Sequence, residues 1–292
     1  GVPLAMLAGA IRVSTPFIFV SLGECLTERS GRINLGLEGT LMIGAMTAYG
    51  TALLSGSPWL GVLVAAGVGL MLGALHAALC QLPKVNDIAT GIGLMLFGTG
   101  LAFFLGKPYI QPKAPNLGAL DLGGWSSIPQ VQQALQVNPL FIVGIVLAFA
   151  LAWALIVRLA GESVDAALAI GASVARVRLV ATAVGGAFAG IGGAFLSLYY
   201  PGSWNEGLSS GQGLMAVALV IFARWSPVRC LWASLLFGAA GAISPALQSV
   251  GVTQGYYLFS AAPYALTLAL MIATCSPERS LRGAPGELGA VH

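Results

Sequence analysis

Residues 23–39 combine charged side chains with glycines between two apolar runs. The charged residues are Glu24, Glu28, Arg29, Arg32 and Glu38. The glycines are Gly31, Gly36 and Gly39, and each disfavours an uninterrupted helix. Carboxylates and guanidinium groups in such a cluster either pair with one another or hydrogen-bond a polar solute. The net charge of the stretch is near zero, which favours internal pairing.

Two interpretations of this stretch remain open. If the flanking runs cross a bilayer, charges at that depth cost at least a few kcal/mol each unless they are paired or hydrated. Irregular backbone is tolerated there only where protein buries it or where it lines a cavity. Broken helices of this kind mark substrate sites in many transporters. The alternative is an ordinary cytoplasmic hairpin loop.

A serine-hydrolase motif also occurs, because residues 207–211 fit GxSxG with Ser209 as the nucleophile. That motif requires a strand–turn–helix context and a histidine partner. The two histidines are His76, inside an apolar run, and His292, the last residue of the sequence. We expect His76 to be a packed, hydrogen-bonded core residue, and we predict no catalytic residue.

The sequence offers no recognisable motif for binding a metal ion or a nucleotide. The cysteines Cys25, Cys80, Cys230 and Cys275 are widely spaced, so we expect free thiols and no metal site. A GxxxxGK[ST] phosphate loop does not occur. If transport is uphill, its energy must therefore come from an ion gradient or from another subunit.

The composition places the chain in a membrane. Of 292 residues, 57% are hydrophobic and only 8% are charged, against about 25% charged in ordinary soluble domains. The mean hydropathy of +0.88 also excludes a disordered chain. The net charge of +3 requires no nucleic acid to explain it, because Lys and Arg collect in cytoplasmic loops.

Hydropathy predicts an all-α, polytopic transmembrane bundle of about nine helical segments, some of them broken. Several runs approach the ~20 residues that a helix needs to cross a bilayer. The segments are roughly 3–25, 34–54, 59–80, 87–106, 139–157, 179–200, 212–225, 230–250 and 257–274.

The basic residues of the loops predict the orientation. Eight of them fall on one side if the segments cross alternately, and they are Lys84, Arg158, Arg176, Arg178, Arg224, Arg229, Arg279 and Arg282. The opposite side has Lys107 and Lys113, so we expect the first side to be cytoplasmic. The tail 275–292 is then inside, the N-terminus is outside, and the loops 107–138 and 201–212 are external.

Three further features follow from the spacing. The internal loop 158–178 has a short Ala-rich middle between basic flanks, which predicts one or two helical turns able to dock a soluble partner or, alternatively, a plain connecting loop. The segment 212–225 contains too short an apolar stretch to cross unaided and predicts a second broken element. Small residues four apart, Gly69/Gly73 and Gly186/Gly190, predict close helix packing.

The stretch ERSGRINLGLEGTLMIGA resembles the signature of permease subunits of ATP-binding-cassette importers, closest to the simple-sugar and nucleoside branch related to ribose and branched-chain amino-acid permeases. Three other stretches agree in order and spacing, at 85–101, 161–198 and 207–238. The resemblance covers roughly residues 15–274. The family often has Asn at the position of Met95 and GRG where this chain has Gly-Gln-Gly at 211–213, departures that would alter substrate choice.

The resemblance implies a single permease domain, 1–292, of the type II-like importer fold. It implies a second similar permease, an ATPase subunit that carries ATP and Mg²⁺, and an external substrate-binding protein, with no cofactor on this chain. It implies a cytoplasmic coupling loop that contains Gly161, Glu162, Ala166, Ala167 and Gly171. The residues expected to line or brace the path are Glu24, Glu28, Arg29, Asn34, Glu38, Asn86, Met95 and Gln212.

The predicted function is therefore a non-enzymatic permease subunit in a bacterial inner membrane. It would move a nucleoside or related small polar solute inward by alternating access. A sugar, a nucleobase or another small solute is the alternative cargo. A self-sufficient secondary transporter is a less favoured alternative, and a membrane serine hydrolase the least favoured.

Overall fold

The structure is a computed structural model that describes residues 2–152, 163–274, 284–286 and 288. Most of the described chain is helical. The helices are α1 (Val2–Arg29), α2 (Leu37–Ser55), α3 (Pro58–Cys80), α4 (Asp87–Gly106), α5 (Pro129–Ala134), α6 (Pro139–Leu151), α7 (Val164–Ala169), α8 (Val174–Leu198), α9 (Gln212–Phe222), α10 (Pro227–Gly241), α11 (Ile243–Gln248), α12 (Tyr256–Ser260) and α13 (Ala262–Thr274). A two-residue hairpin pairs β1 (Leu120–Asp121) antiparallel with β2 (Gln136–Val137).

The helices confirm the prediction of an all-α membrane bundle. Within the described residues, five helical stretches are long and apolar enough to cross a bilayer, and they are Val2–Arg29, Pro58–Cys80, Asp87–Tyr109, Val174–Leu198 and Pro227–Gln248. Five large apolar side chains on α3 and α4 are more than half exposed, as lipid-facing side chains would be, and they are Leu63, Met71, Leu96, Phe97 and Phe104.

Two predicted segments differ from the structure. The segment 230–250 is divided into α10 and α11 at Ala242, and the segment 257–274 is divided into α12 and α13 at Ala261. The end of the predicted segment 139–157 lies outside the described residues.

Polar caps fix where several helices begin. Asn86 accepts hydrogen bonds from the backbone N–H groups of Ile88 (2.9 Å) and Ala89 (3.0 Å) at the start of α4. Asn138 does the same for Leu140 at the start of α6, where Pro139 occupies the first turn. Such caps matter in a membrane because the first N–H groups of a helix have no partner within it.

Helix α8 lies at the centre of the bundle and packs against α1, α2 and α3. The predicted small-residue contacts are confirmed. A Cβ atom at Gly69 would collide with the carbonyl oxygen of Gly186, and a Cβ at Gly73 would lie 2.9 Å from the Cα of Ala183. The backbones of α3 and α8 therefore approach as closely as they do because these positions have no side chain.

The loop 107–138 packs on the end of the bundle that the charge distribution assigns to the outside. The hydroxyl of Tyr49, near the end of α2, donates to the carbonyl of Pro112 over 2.6 Å. The N–H of Leu117 donates to the carbonyl of Leu198, the last residue of α8, over 2.8 Å. This loop is thus a folded cover with its own short hairpin.

Candidate functional site

The break between the first two helices is shorter than the sequence predicted. Helix α1 continues through Glu24 and Glu28 to Arg29, and α2 begins at Leu37, so the interruption is confined to residues 30–36. Gly31 ends α1 with φ 93°, a left-handed conformation that glycine adopts without steric strain. Both carboxylates therefore lie on the last turns of a continuous helix.

Glu24 and Glu28 are both buried, and each binds a different part of the molecule. Oε1 of Glu24 accepts a hydrogen bond from the backbone N–H of Asn34 over 3.0 Å, which ties the interruption back to α1. Oε2 of Glu24 has no hydrogen-bond partner within the described residues. Oε2 of Glu28 accepts from the indole Nε1 of Trp225 over 2.9 Å.

The two arginines of residues 23–39 also bind other parts of the fold. Nε of Arg29 donates to the backbone carbonyl of Trp225. Arg32 forms an ion pair of 3.1 Å with Asp87 at the start of α4, and the other oxygen of Asp87 accepts from the N–H of Ile33 over 3.2 Å. The end of α1 is therefore held to the residue Trp225 that follows α9, and the interruption is held to the start of α4.

Glu38 joins the first turn of α2 to the first turn of α9. Its carboxylate accepts from the hydroxyl of Ser209 and, over 2.6 Å, from the backbone N–H of Gly213. A Cβ at Gly213 would lie 2.6 Å from the Cα of Glu38, so the two helix starts are in direct contact. A carboxylate is favourable there because both helix N-termini present partial positive charge.

Ser209 is therefore a hydrogen-bond donor to a carboxylate, and this geometry does not support the nucleophile role considered from its motif. His76 is buried elsewhere, with Nε2 3.4 Å from the carbonyl of Asp87 and Nδ1 3.7 Å from the Sγ of Cys80. The prediction that His76 is a packed core residue is confirmed. Within the described residues, no group of three or more His, Cys, Asp or Glu side chains is arranged to hold a metal ion.

The remaining predicted path residues are not all in one place. Asn86 caps α4, and the backbone of Met95 packs on α2, where a Cβ at Gly39 would lie 2.7 Å from the Met95 carbonyl oxygen. Gln212, the first residue of α9, lines a cavity of about 160 Å³. Glu38 therefore contacts the first turn of α9, whereas Asn86 caps the start of α4.

Arg12 is a candidate that the sequence analysis missed. It lines a second cavity, of about 650 Å³, between the first half of α1, α5 and α11. Its guanidinium carbon lies 5.1 Å from the ring centroid of Tyr200, and its buried Nε has no partner among the described residues. A lone charged residue inside an apolar run is the signal that could have identified it.

The predicted coupling loop is described in part. Gly161 and Glu162 lie outside the described residues. Ala166 and the buried Ala167 belong to α7, which confirms the short helix expected there, and Gly171 follows it with φ 76°.

Comparison with known proteins assigns the family. A family model described as "Branched-chain amino acid transport system / permease component" matches residues 6–275. The chain belongs to this permease family. No solved structure matches the chain.

This permease is similar to three transport proteins in particular. It is 33% identical over 259 residues to the putative glucose ABC transporter permease protein TsgC13 of Haloferax volcanii, covering 85% of this chain and 79% of that one. It is 29% identical over 282 residues to the guanosine ABC transporter permease protein NupQ of Bacillus subtilis, covering 87% of each. It is 31% identical over 255 residues to the nucleoside ABC transporter permease protein NupC of Lactococcus lactis, covering 80% of each.

Proposed function

We propose that this permease imports a nucleoside or a closely related polar solute by alternating access, driven by ATP hydrolysis on a partner ATPase. The observation that carries the proposal is its similarity, over four fifths or more of each chain, to permeases named for guanosine and for nucleosides. The site chemistry supports a neutral cargo, because Arg32 is paired with Asp87 and Glu28 is bonded to Trp225.

The elements around Glu38 support a gating role. Helix α9 has only 11 residues, about 16 Å of helix, so its N-terminus lies within the membrane if Trp225 lies at the cytoplasmic end. Half-helices whose ends meet an irregular segment recur at the centres of transporters. Because both helix starts share the carboxylate of Glu38, a movement of one start would be transmitted to the other.

A sugar is the second candidate cargo. The specific observation in its favour is the 33% identity to a putative glucose permease. Sugars and nucleosides share ribose-like hydroxyl groups, and a path lined by neutral amides and hydroxyls would accept either.

Partner subunits are part of the proposal. We propose that a second, similar permease pairs with this chain, that an external binding protein delivers the solute, and that the loop 158–178 contacts the ATPase. The short helix α7 supports the last point, since its N-cap Ser163 accepts from Ala166 N–H over 3.2 Å and gives the loop a defined shape.

Uptake of labelled uridine and guanosine by native cells with and without this chain tests the proposal. We expect nucleoside uptake to be lost without the chain and to be insensitive to excess ribose. Unchanged nucleoside uptake together with lost ribose or glucose uptake would move the cargo to a sugar. Nucleoside uptake by the purified chain alone in liposomes, without ATP, would favour a secondary transporter instead.

A further inference from the structure

The smaller cavity lies between α1, α9, α10, the end of α12 and α13, and it combines aromatic rings with a few polar groups. Its volume is about 160 Å³. The residues that matter here are Phe17, Gln212, Met215, Phe237, Ser260 and Tyr264. Mixed linings of this kind, mostly apolar with a small number of placed polar groups, are characteristic of sites for small organic molecules.

Gln212 is the one residue with a carboxamide side chain among the described residues that line this cavity. Its Oε1 is buried and has no hydrogen-bond partner within the described residues. A carboxamide presents an acceptor oxygen beside a donor –NH₂, so it can form a pair of hydrogen bonds with a ligand edge that carries a donor beside an acceptor. A buried acceptor without a partner is unfavourable, and a ligand that donates to it removes that penalty.

The backbone on both sides of Gln212 is anchored, so its position is defined. Ser209 and Gly213 both donate to the carboxylate of Glu38. Between them, Ser210 has φ 48° and Gly211 has φ 80°. A positive φ is uncommon for a serine and persists where surrounding contacts hold it, often at functional sites. Glu38 is therefore a positioning residue for Gln212.

The aromatic rings favour a flat ligand. Phe17 and Phe237 are buried and contact each other edge to face, with ring centroids 6.3 Å apart and an angle of 61° between ring planes. Tyr264 lines the same cavity and is 54% exposed, so this side of the cavity is open in the single chain. Aromatic rings stack on a nucleobase whatever its identity, because every base has a π face.

Within the proposed function as a nucleoside importer, on which this inference rests, we propose that this cavity recognises the base. The Gln212 amide would bond the donor–acceptor edge of the base, as Gln amides do with base edges elsewhere. The cavity is smaller than the roughly 300–1,000 Å³ typical of complete ligand sites, so the second permease would complete it on the open Tyr264 side.

The larger cavity lies next to this one and reaches towards the covering loop. Val13 lines both cavities, and Arg12 lines the larger one. The larger cavity also borders Gln133, next to the hairpin that covers the outer end. The two cavities are therefore neighbours along α1.

The test uses cells whose guanosine or uridine uptake depends on this chain together with its native partners. Competition is measured with two analogues that keep the ring and the ribose. Purine riboside lacks the exocyclic groups of guanosine, and 2-pyrimidinone riboside lacks the C4 oxygen and the N3–H of uridine. In the wild type we expect these analogues to compete about tenfold less well than the parent nucleosides, as one bidentate contact would produce. Gln212→Leu should abolish that preference.

Two controls make the result decisive. Gln248→Leu removes an exposed amide that lines neither cavity and should retain the wild-type preference. The amount of each variant in the membrane is measured by immunoblot. The proposal would be overturned if Gln212→Leu kept the wild-type preference for the parent nucleosides. This includes the case in which the substitution weakens competition by parents and analogues equally, because Gln212 would then act on the transport movement and not on the base. If nucleoside uptake does not depend on the chain at all, the proposed function fails.

Discussion

At the scale of single residues, each buried carboxylate forms hydrogen bonds that connect its helix to another part of the fold. Glu24 binds the backbone of the interruption, Glu28 binds Trp225 beyond the end of α9, and Glu38 binds the start of α9. Charged groups are retained in an apolar bundle only where hydrogen bonds replace their lost hydration. Each carboxylate therefore marks a contact on which the arrangement of broken helices depends.

Glu38→Ala is expected to lower both stability and uptake. It removes the acceptor of Ser209 and Gly213, and hydrogen bonds to a charged group contribute about 1.5–3 kcal/mol each. Thermal unfolding in detergent can be followed with a thiol-reactive dye, because Cys25, Cys80 and Cys230 are buried free thiols.

Glu206→Ala is the matched control for Glu38→Ala, because Glu206 is an exposed carboxylate in the same loop as Ser209. We expect Glu206→Ala to keep the wild-type melting temperature. Equal melting temperatures for Glu38→Ala and the wild type would show that Glu38 does not hold α9 in place.

At the scale of elements, the contact between α3 and α8 depends on residues without side chains. Lipid tails are as apolar as leucine, so helix association in a membrane relies on close van der Waals packing and hydrogen bonds. Gly69 faces the carbonyl of Gly186, whereas Gly67, two residues earlier on the same helix, has nothing within 4 Å of its Cβ position.

Gly69→Ala and Gly67→Ala therefore form a matched pair. We expect Gly69→Ala to lower the melting temperature and the yield of folded protein, because the new methyl group must separate the two backbones. Gly67→Ala should be neutral or slightly stabilising, since alanine has the higher helix propensity by about 1 kcal/mol. The thiol-dye melting measurement compares them, and a similar effect at both positions would contradict the packing argument.

At the scale of the whole molecule, the orientation in the membrane rests on the distribution of basic residues. The structure adds that the folded loop 107–138 and the N-terminal half of α1 are at one end of the bundle, where they line the larger cavity together. The short helix α7 belongs to the loop that the charge rule assigns to the cytoplasm.

Cysteine labelling tests that orientation. Ser127→Cys lies in the covering loop and Ser173→Cys precedes α8, and both positions are exposed. A membrane-impermeant maleimide added to intact spheroplasts should label Ser127→Cys and leave Ser173→Cys unlabelled until the membrane is opened. The wild-type chain gives the background, and the opposite pattern would reverse the proposed topology.

The sequence by itself determined the membrane class, the approximate positions of most helical segments and the bias of charge between the two sides. These follow from composition and from local patterns of apolar and basic residues, which need no knowledge of distant contacts. It also located the charged stretch around Glu24 and Glu38 and the short segment that became α9.

Only the tertiary structure decided which of these groups meet. Glu28 and Trp225 are 197 positions apart, and Glu38 and Gly213 are 175 apart. A single sequence carries no pattern that pairs residues at such separations. The same reason explains why Gln212 could be marked as a departure from its family but not placed in a cavity with Phe17 and Phe237. The pairing exists because α1, α2, α9 and α10 pack together, and packing is a property of the folded chain.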